Sequence, residues 1–272
     1  MHANGRRWIG RLTWATAIVL LTALSQIGGL VLLAVLAILR PLPLRAGRRL
    51  LTGIALFAVL HAGLSTWLLP PLAAWQGRTA LPCPWSSTAP LVPRNPFYCL
   101  ANRHYVRPEL AALVQRSAAD LRRAHPGAVT AYLDGGFPMF DGFPLLPHLS
   151  HRDGRSLDLA FPYVRPGHAP SGLLSPSPLG YGAFVPARAG ERELCGRRSP
   201  EGGDGSDGPT KLHDDALRRL LLLLARHGTT HGLDRIFIEP RLRVRYRLPT
   251  SLFRFAGCHA ARHDDHLHLS VR

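Results

Sequence analysis

Two short segments of this chain carry residues whose types and spacing suit a metal ion. The first runs from His151 to Asp158, a histidine followed by a carboxylate seven positions later. The second reads His263-Asp264-Asp265-His266-Leu267-His268 and continues into Leu269, Ser270 and Val271. Side chains of a strand alternate faces, so His266 and His268 share one face while Leu267 and Leu269 take the core side. By the same alternation Asp158 stands with Ser156 and Ala160, opposite Leu157, Leu159 and Phe161. Two strands can therefore present Asp158 and His268 to one cation, with His151 joining from the preceding turn. Two histidines and one carboxylate are the ligand count of a catalytic zinc site, which keeps one position for water. Such an ion retains positive charge, acidifies its water and polarises a carbonyl. His148, Arg152, His263 and His266 then become candidates for orienting ligands, meeting substrate or moving protons.

The pattern resembles the LAS group of zinc metallopeptidases, which joins lysostaphin-type enzymes, D-Ala-D-Ala peptidases and the hedgehog amino-terminal domain through a His-x6-Asp motif and a terminal His-x-His. Within the group it is most similar to the penicillin-insensitive murein endopeptidases. Their first motif has the form Pro-His-x-Ser-His-x-x-Gly-x-x-x-Asp, and here Pro147-His148-Leu149-Ser150-His151-Arg152-Asp153-Gly154 leads to Asp158. Arg235-Ile236-Phe237-Ile238 resembles the strand between their motifs, and His263 to His268 matches their ending. The likeness covers Thr130 to Arg272. It implies a hedgehog-like fold and hydrolysis of D-amino-acid peptide bonds in peptidoglycan stems or crosslinks, endopeptidase favoured over carboxypeptidase. The chain departs from the pattern at Arg152 (usually Gln), at Arg155 after Gly154 (usually Leu) and at Asp134, where the family has an arginine.

The proton-transfer residue has two candidates. The carboxypeptidase branch of the group places an acid where this chain has Asp265, whereas the endopeptidase branch implies His266. On a flat strand Asp265 points away from the site, which favours His266. Asp264 and Asp265 can instead orient imidazoles. His61, His104, His125, His168, His227 and His231 read as packed or surface residues. A second function class is a membrane-anchored cell-wall-binding module that keeps the metal-site fold without cutting.

The elements that position these residues lie behind a membrane-like amino-terminal quarter. Leu12 to Leu39 is uncharged. It is longer than the ~30 Å hydrocarbon core requires, which predicts one tilted transmembrane helix. Leu50 to Trp75 is a second uncharged run and predicts another. The alternative is a cleaved signal peptide followed by a buried core helix, but the first run is too long for a signal segment. Arg40, Arg45, Arg48 and Arg49 between the runs place that connector in the cytoplasm and both termini outside, with Arg6, Arg7 and Arg11 pulling the other way. Cys83, Cys99, Cys195 and Cys258 all follow the helices. Their even number suits two disulfides in an oxidising compartment, with Cys83–Cys99 and Cys195–Cys258 favoured among three pairings. A four-cysteine structural zinc is the alternative, against which stands the lack of a Cys-x-x-Cys spacing. These features place the domain outside the inner membrane, in the periplasm.

A net charge of +16 with neutral histidines suits an anionic surface such as lipid headgroups or cell-wall polymer. No nucleic-acid-binding motif is visible, so no nucleic-acid partner is expected. Protein partners are left open by the sequence. Three regions follow: a membrane anchor over 1–75, a Pro/Ser/Trp-rich extracytoplasmic linker over 76–102, and a zinc-peptidase-like domain over 103–272. Within the last, periodicity predicts helices over Pro108–His125 and His213–Arg226 and strands over Ala128–Leu133, Ser156–Phe161, Asp234–Pro240 and the end of Cys258–Val271. Pro166 to Pro209 reads as irregular, with a disordered Gly-Asp-Gly tract at Gly202 to Gly208. Strands interspersed with helices, without strict alternation, give an α+β class: a small antiparallel sheet flanked by helices.

Overall fold

Gln26 ends the first apolar run as a helix. The computed structural model describes residues 2–84, 89–196 and 209–272, so the Gly202 to Gly208 tract lies outside the described residues. Helix α1 (His2–Ser25) stops where Gln26 adopts the left-handed region at φ 67°, and α2 (Gly28–Leu39) folds back along it. The return needs glycine: a Cβ on Gly28 would sit 2.7 Å from the Leu21 carbonyl oxygen, and one on Gly29 2.6 Å from that of Ile18. The single tilted helix expected over Leu12–Leu39 is therefore wrong. Charge and hydropathy register the apolar run but not the Gln26-Ile27-Gly28-Gly29 break inside it.

One helix among the described residues, not two, is long and apolar enough to cross a membrane: the 30-residue stretch Ala46–Trp75. It comprises α3 (Ala46–Gly63), a π-helical turn (Leu64–Leu68) and α4 (Leu69–Trp75). None of the residues of α3 is buried, and Leu50, Leu51, Ile54 and Val59 face outward, which separates it from the core helix of a soluble fold. With a single such stretch, the Arg40–Arg49 connector no longer puts both termini on one side. Ile27, Val31, Val35 and Leu39 recur every fourth residue and form the buried stripe of α2, packed with Leu56, Phe57 and Leu60 of α3 and Leu69 and Ala73 of α4.

Beyond the helices, β1 (Thr79–Ala80), β2 (Leu91–Pro93) and α5 (Phe97–Leu100) form inside the segment expected to be a linker. Leu91 and Tyr98 are core residues, so this stretch is built into the domain. Strand β1 pairs with β3 (Tyr105–Val106), and α6 (Pro108–Ala124) follows. The remaining elements are β4 (Thr130–Tyr132), β5 (Ser156–Ala160), β6 (Tyr163–Val164), β7 (Lys211–Leu212), α7 (Asp214–Gly228), β8 (Leu233–Phe237), α8 (Pro240–Arg245), β9 (Phe253–Arg254) and β10 (His266–Val271). The helices and strands predicted over 108–271 all form, most with bounds shifted by a few residues.

The main sheet has six strands in the order β2-β4-β5-β10-β8-β9. It is mixed rather than antiparallel: the outer pairs β2·β4 and β8·β9 are parallel, and the central pairs are antiparallel. The short β2 and β9 come from segments whose sequences show no period-2 pattern, which is why the added parallel edges were not expected. Leu157 and Leu159 of β5 and Leu267 and Leu269 of β10 join Leu110, Leu113 and Val114 of α6 and Leu217, Leu220 and Leu224 of α7 in one core. The opposite sheet face is left for polar side chains. Disulfides join Cys83 to Cys99 and Cys195 to Cys258, the pairing favoured from sequence.

Candidate metal centre

Antiparallel register puts His268 of β10 directly opposite Asp158 of β5, with Ser270 opposite Ser156 and His266 opposite Ala160. Alternation sends the two histidines, Asp158 and the two serines to the face away from the leucine core, as expected. His268 Nδ1 lies 2.8 Å from Asp158 Oδ1. On its other side Nε2 lies 3.3 Å from Ser270 Oγ, which in turn is 3.2 Å from Ser156 Oγ.

His151 arrives from a 3-10 turn, Leu149–His151, just before β5. Its Nδ1–H donates to the Gly135 carbonyl over 2.8 Å. That bond fixes the tautomer and leaves the Nε2 lone pair facing inward, 3.3 Å from Asp158 Oδ2. Nε2 is buried and has no hydrogen-bond partner among the described residues. An orphaned imidazole nitrogen beside a buried carboxylate costs free energy unless something positive sits between them. The ring centroids of His151 and His268 are 4.9 Å apart. One ligand atom each from His151, Asp158 and His268 lies within 4.8 Å of the others, so this buried group can hold a metal ion.

Charge states fit such an ion. Burial opposes ionisation of Asp158, but the surrounding His151, His266 and His268 hold its carboxyl well below the usual range. Burial also opposes charge on His151; there the Asp158 and Asp134 carboxylates prevail and raise its pKa. His268 is lowered, burial being the largest cause. Without an ion the buried carboxylate draws protons onto His151 and His266, and a divalent cation can take the place of that positive charge.

His266 stands beside the trio with Nε2 3.9 Å from Asp158 Oδ2 and Nδ1 2.5 Å from Asp265 Oδ1. Asp265 precedes β10, so its side chain is not bound by strand alternation. It turns toward the site and accepts the His266 Nδ1–H and the Gly182 backbone N–H. Asp264 does not orient a histidine as supposed: it is fully buried against Arg241 and Arg262, each 2.5 Å away. His263 packs its ring 5.0 Å from that of His266 and 5.8 Å from that of His268, and burial lowers its pKa to about 3. His148 sits 2.8 Å from Asp134 Oδ2 and 3.9 Å from Asp158 Oδ2. Arg152, the other residue assigned to this ring, has an exposed side chain.

Two residues at the centre were not identified from sequence. Tyr181 donates its hydroxyl to Asp158 Oδ2 over 2.8 Å, with its ring 4.6 Å from that of His148 and 4.9 Å from that of His266. Burial and the nearby carboxylates raise its pKa well above the usual tyrosine value, so it remains a donor. It lies in the irregular stretch after β6, and its one sequence signal is the Gly180-Tyr181-Gly182 turn, both glycines at positive φ. Arg103 is the second: its Nε donates to Asp134 Oδ1 over 2.5 Å, setting a buried guanidinium against the carboxylate that also meets His148. The bonds from His148 and Arg103 hold Asp134 ionised despite burial.

Cys83, Cys99 and His104 also lie close enough to share an ion. Their sulfurs are joined to each other, so neither cysteine offers a thiolate. A scan against protein-family models finds no match for this chain, and neither does a search of curated proteins.

Proposed function

We propose that this protein is a membrane-anchored zinc-dependent peptidase that hydrolyses D-amino-acid peptide bonds in peptidoglycan, cutting within crosslinks or stems rather than trimming ends. The observation that carries this reading is the register of Asp158 against His268 with the unpartnered Nε2 of His151 beside them. Three protein ligands of the His and carboxylate type, from elements far apart in sequence, are the donor set of hydrolytic zinc. The motif likeness supplies the substrate class.

His151, Asp158 and His268 would hold the metal. When bound there, zinc supplies Lewis-acid polarisation of a carbonyl and acidifies a water molecule. The Asp265 carboxylate keeps the His266 proton on Nδ1, which leaves Nε2 free as a base. His266 Nε2 takes the proton of the attacking water and returns it to the leaving amine nitrogen. Tyr181 and Ser270 hold the ligand rings and carboxylate in place, as partners of metal ligands commonly do. Ala46–Trp75 anchors the domain, and the two disulfides suit the periplasmic side of the inner membrane. The basic chain favours the anionic wall polymer and lipid headgroups over neutral surfaces.

The full-length protein in detergent micelles is the sample for the test. Purified peptidoglycan is digested with zinc present, with a chelator, and with His151→Ala, and the products are identified by mass. Cleaved crosslinks that vanish with chelator and in the variant are expected. Retention on peptidoglycan with no product released overturns the peptidase reading in favour of a cell-wall-binding module.

A further inference from the structure

An open cleft of about 940 Å³ lies between the amino-terminal helices and the domain. The size is at the upper end of the roughly 300–1,000 Å³ typical of small-molecule sites. Leu24, Phe57 and Ala58 form the helix side, and Leu81, Phe97 and Leu100 form the domain side. We infer that this cleft takes the hydrocarbon chain of a bilayer lipid.

Two observations select that occupant. First, the helix wall is continuous with outward-facing apolar residues, among them Leu20, Leu24, Ile54 and Val59, which a bilayer would surround. A lipid chain can pass from that surface into the cleft without crossing water. Second, the lining lacks charge for a headgroup. Among the described residues Arg94 is the one Asp, Glu, Lys or Arg of the lining; its Nη2 is committed to the carbonyl oxygens of Ser175 (3.1 Å) and Ser177 (2.7 Å), and its Nε is buried. A peptide laid in the same space would leave its backbone amides against hydrocarbon walls, which is costly.

This inference does not depend on the peptidase reading, only on Ala46–Trp75 lying in a membrane. The full chain is reconstituted into phosphatidylcholine vesicles doped with phosphatidylcholine bearing a diazirine on one acyl chain, irradiated, and mapped by peptide mass spectrometry. Label is expected on the outward residues Leu50 and Ile54 and, in addition, on Phe97 of the domain. Ala58→Trp with Ala62→Phe adds bulk at two exposed lining residues; the Phe97 label should be lost while the Leu50 and Ile54 label persists. Label on Leu50 and Ile54 with none on Phe97 overturns the cleft assignment, as does Phe97 label that survives the double substitution. No label anywhere overturns the membrane placement and the cleft with it.

Discussion

His268 and Asp158 face each other across two central antiparallel strands with 2.8 Å between Nδ1 and Oδ1, and His268 Nε2 has Ser270 Oγ at 3.3 Å on its far side. If Nε2–H donates to Ser270, the Nδ1 lone pair meets a carboxylate oxygen, which is favourable only with a proton or a metal ion between them. In that tautomer Ser270 sets which nitrogen is offered to the ion. Ser270→Ala is expected to weaken zinc binding by roughly 10–100-fold, the usual effect of removing a ligand's hydrogen-bond partner. Competition against a chromogenic chelator measures it; unchanged affinity would show that Ser270 does not set the tautomer.

Metal binding should stabilise the fold, because the ligands converge only when β5 and β10 are paired. Free zinc at about 100 times its dissociation constant is expected to add roughly 2.7 kcal/mol. Thermal unfolding with and without zinc reads this as a rise in Tm, lost on adding chelator. Asp158→Asn should abolish the rise, since the neutral amide neither attracts the ion nor offsets its charge.

Proton transfer and metal retention should separate at His266. Its Nε2 is 3.9 Å from Asp158 Oδ2, and its Nδ1 is committed to Asp265. His266→Ala is expected to lower product formation by roughly 10²–10⁴-fold, the range for general acid–base catalysis. Zinc content by elemental analysis should stay at wild-type level. Asp265→Asn should fall in the same direction by a smaller factor. Loss of zinc in His266→Ala would instead make His266 a ligand.

The centre was legible where one strand carried its own address. His268 and Asp158 sit in apolar alternations that specify both element and face, and Leu267 and Leu269 confirm the register by entering the core. Tyr181 was not legible because nothing local fixes its place: it reaches Asp158 through an irregular segment held by tertiary contacts, including the Gly182 N–H bond to Asp265. Arg103 was hidden for a similar reason, since its pairing with Asp134 spans 31 residues and involves no shared element. In the helices, hydropathy summed over Leu12–Leu39 overrode one glutamine and two glycines whose backbone geometry decides the outcome. The parallel edge strands β2 and β9 are too short, at three and two residues, for any period to show.

That glutamine also fastens the helices to the site-bearing loop. Gln26 Nε2 donates to the Met139 carbonyl over 2.6 Å, and the Met139 N–H donates to Gln26 Oε1 over 3.0 Å. Asn102 adds a bond to the Ser25 carbonyl. Met139 belongs to the stretch between β4 and His148, so the helix break braces the path to the ligands. Gln26→Ala is expected to destabilise this junction by roughly 1–3 kcal/mol. Hydrogen exchange at the Met139 amide should accelerate accordingly, while amides of α6 and α7 stay protected. Equal acceleration throughout would mean a global rather than a junction effect.

His104 gives the fold a pH dependence on the acid side. It is buried, and that burial lowers its pKa from 6.5 to about 4, partly offset by its bond to the Tyr98 carbonyl. A histidine depressed in the folded state binds its proton more readily when unfolded. Its contribution is therefore neutral above pH ~6.5 and destabilising as pH falls toward 4. From the size of that shift the loss is about 2 kcal/mol at pH 5 and roughly 3 kcal/mol near pH 4. His104→Leu removes the titrating group together with the Tyr98 bond, so the variant should start about 1 kcal/mol less stable at pH 7.5. Its stability should then fall less steeply than wild type between pH 6.5 and 4. Thermal unfolding of both proteins across this range checks the difference in slope, which isolates His104 from other buried histidines such as His263; parallel curves would place the acid sensitivity elsewhere.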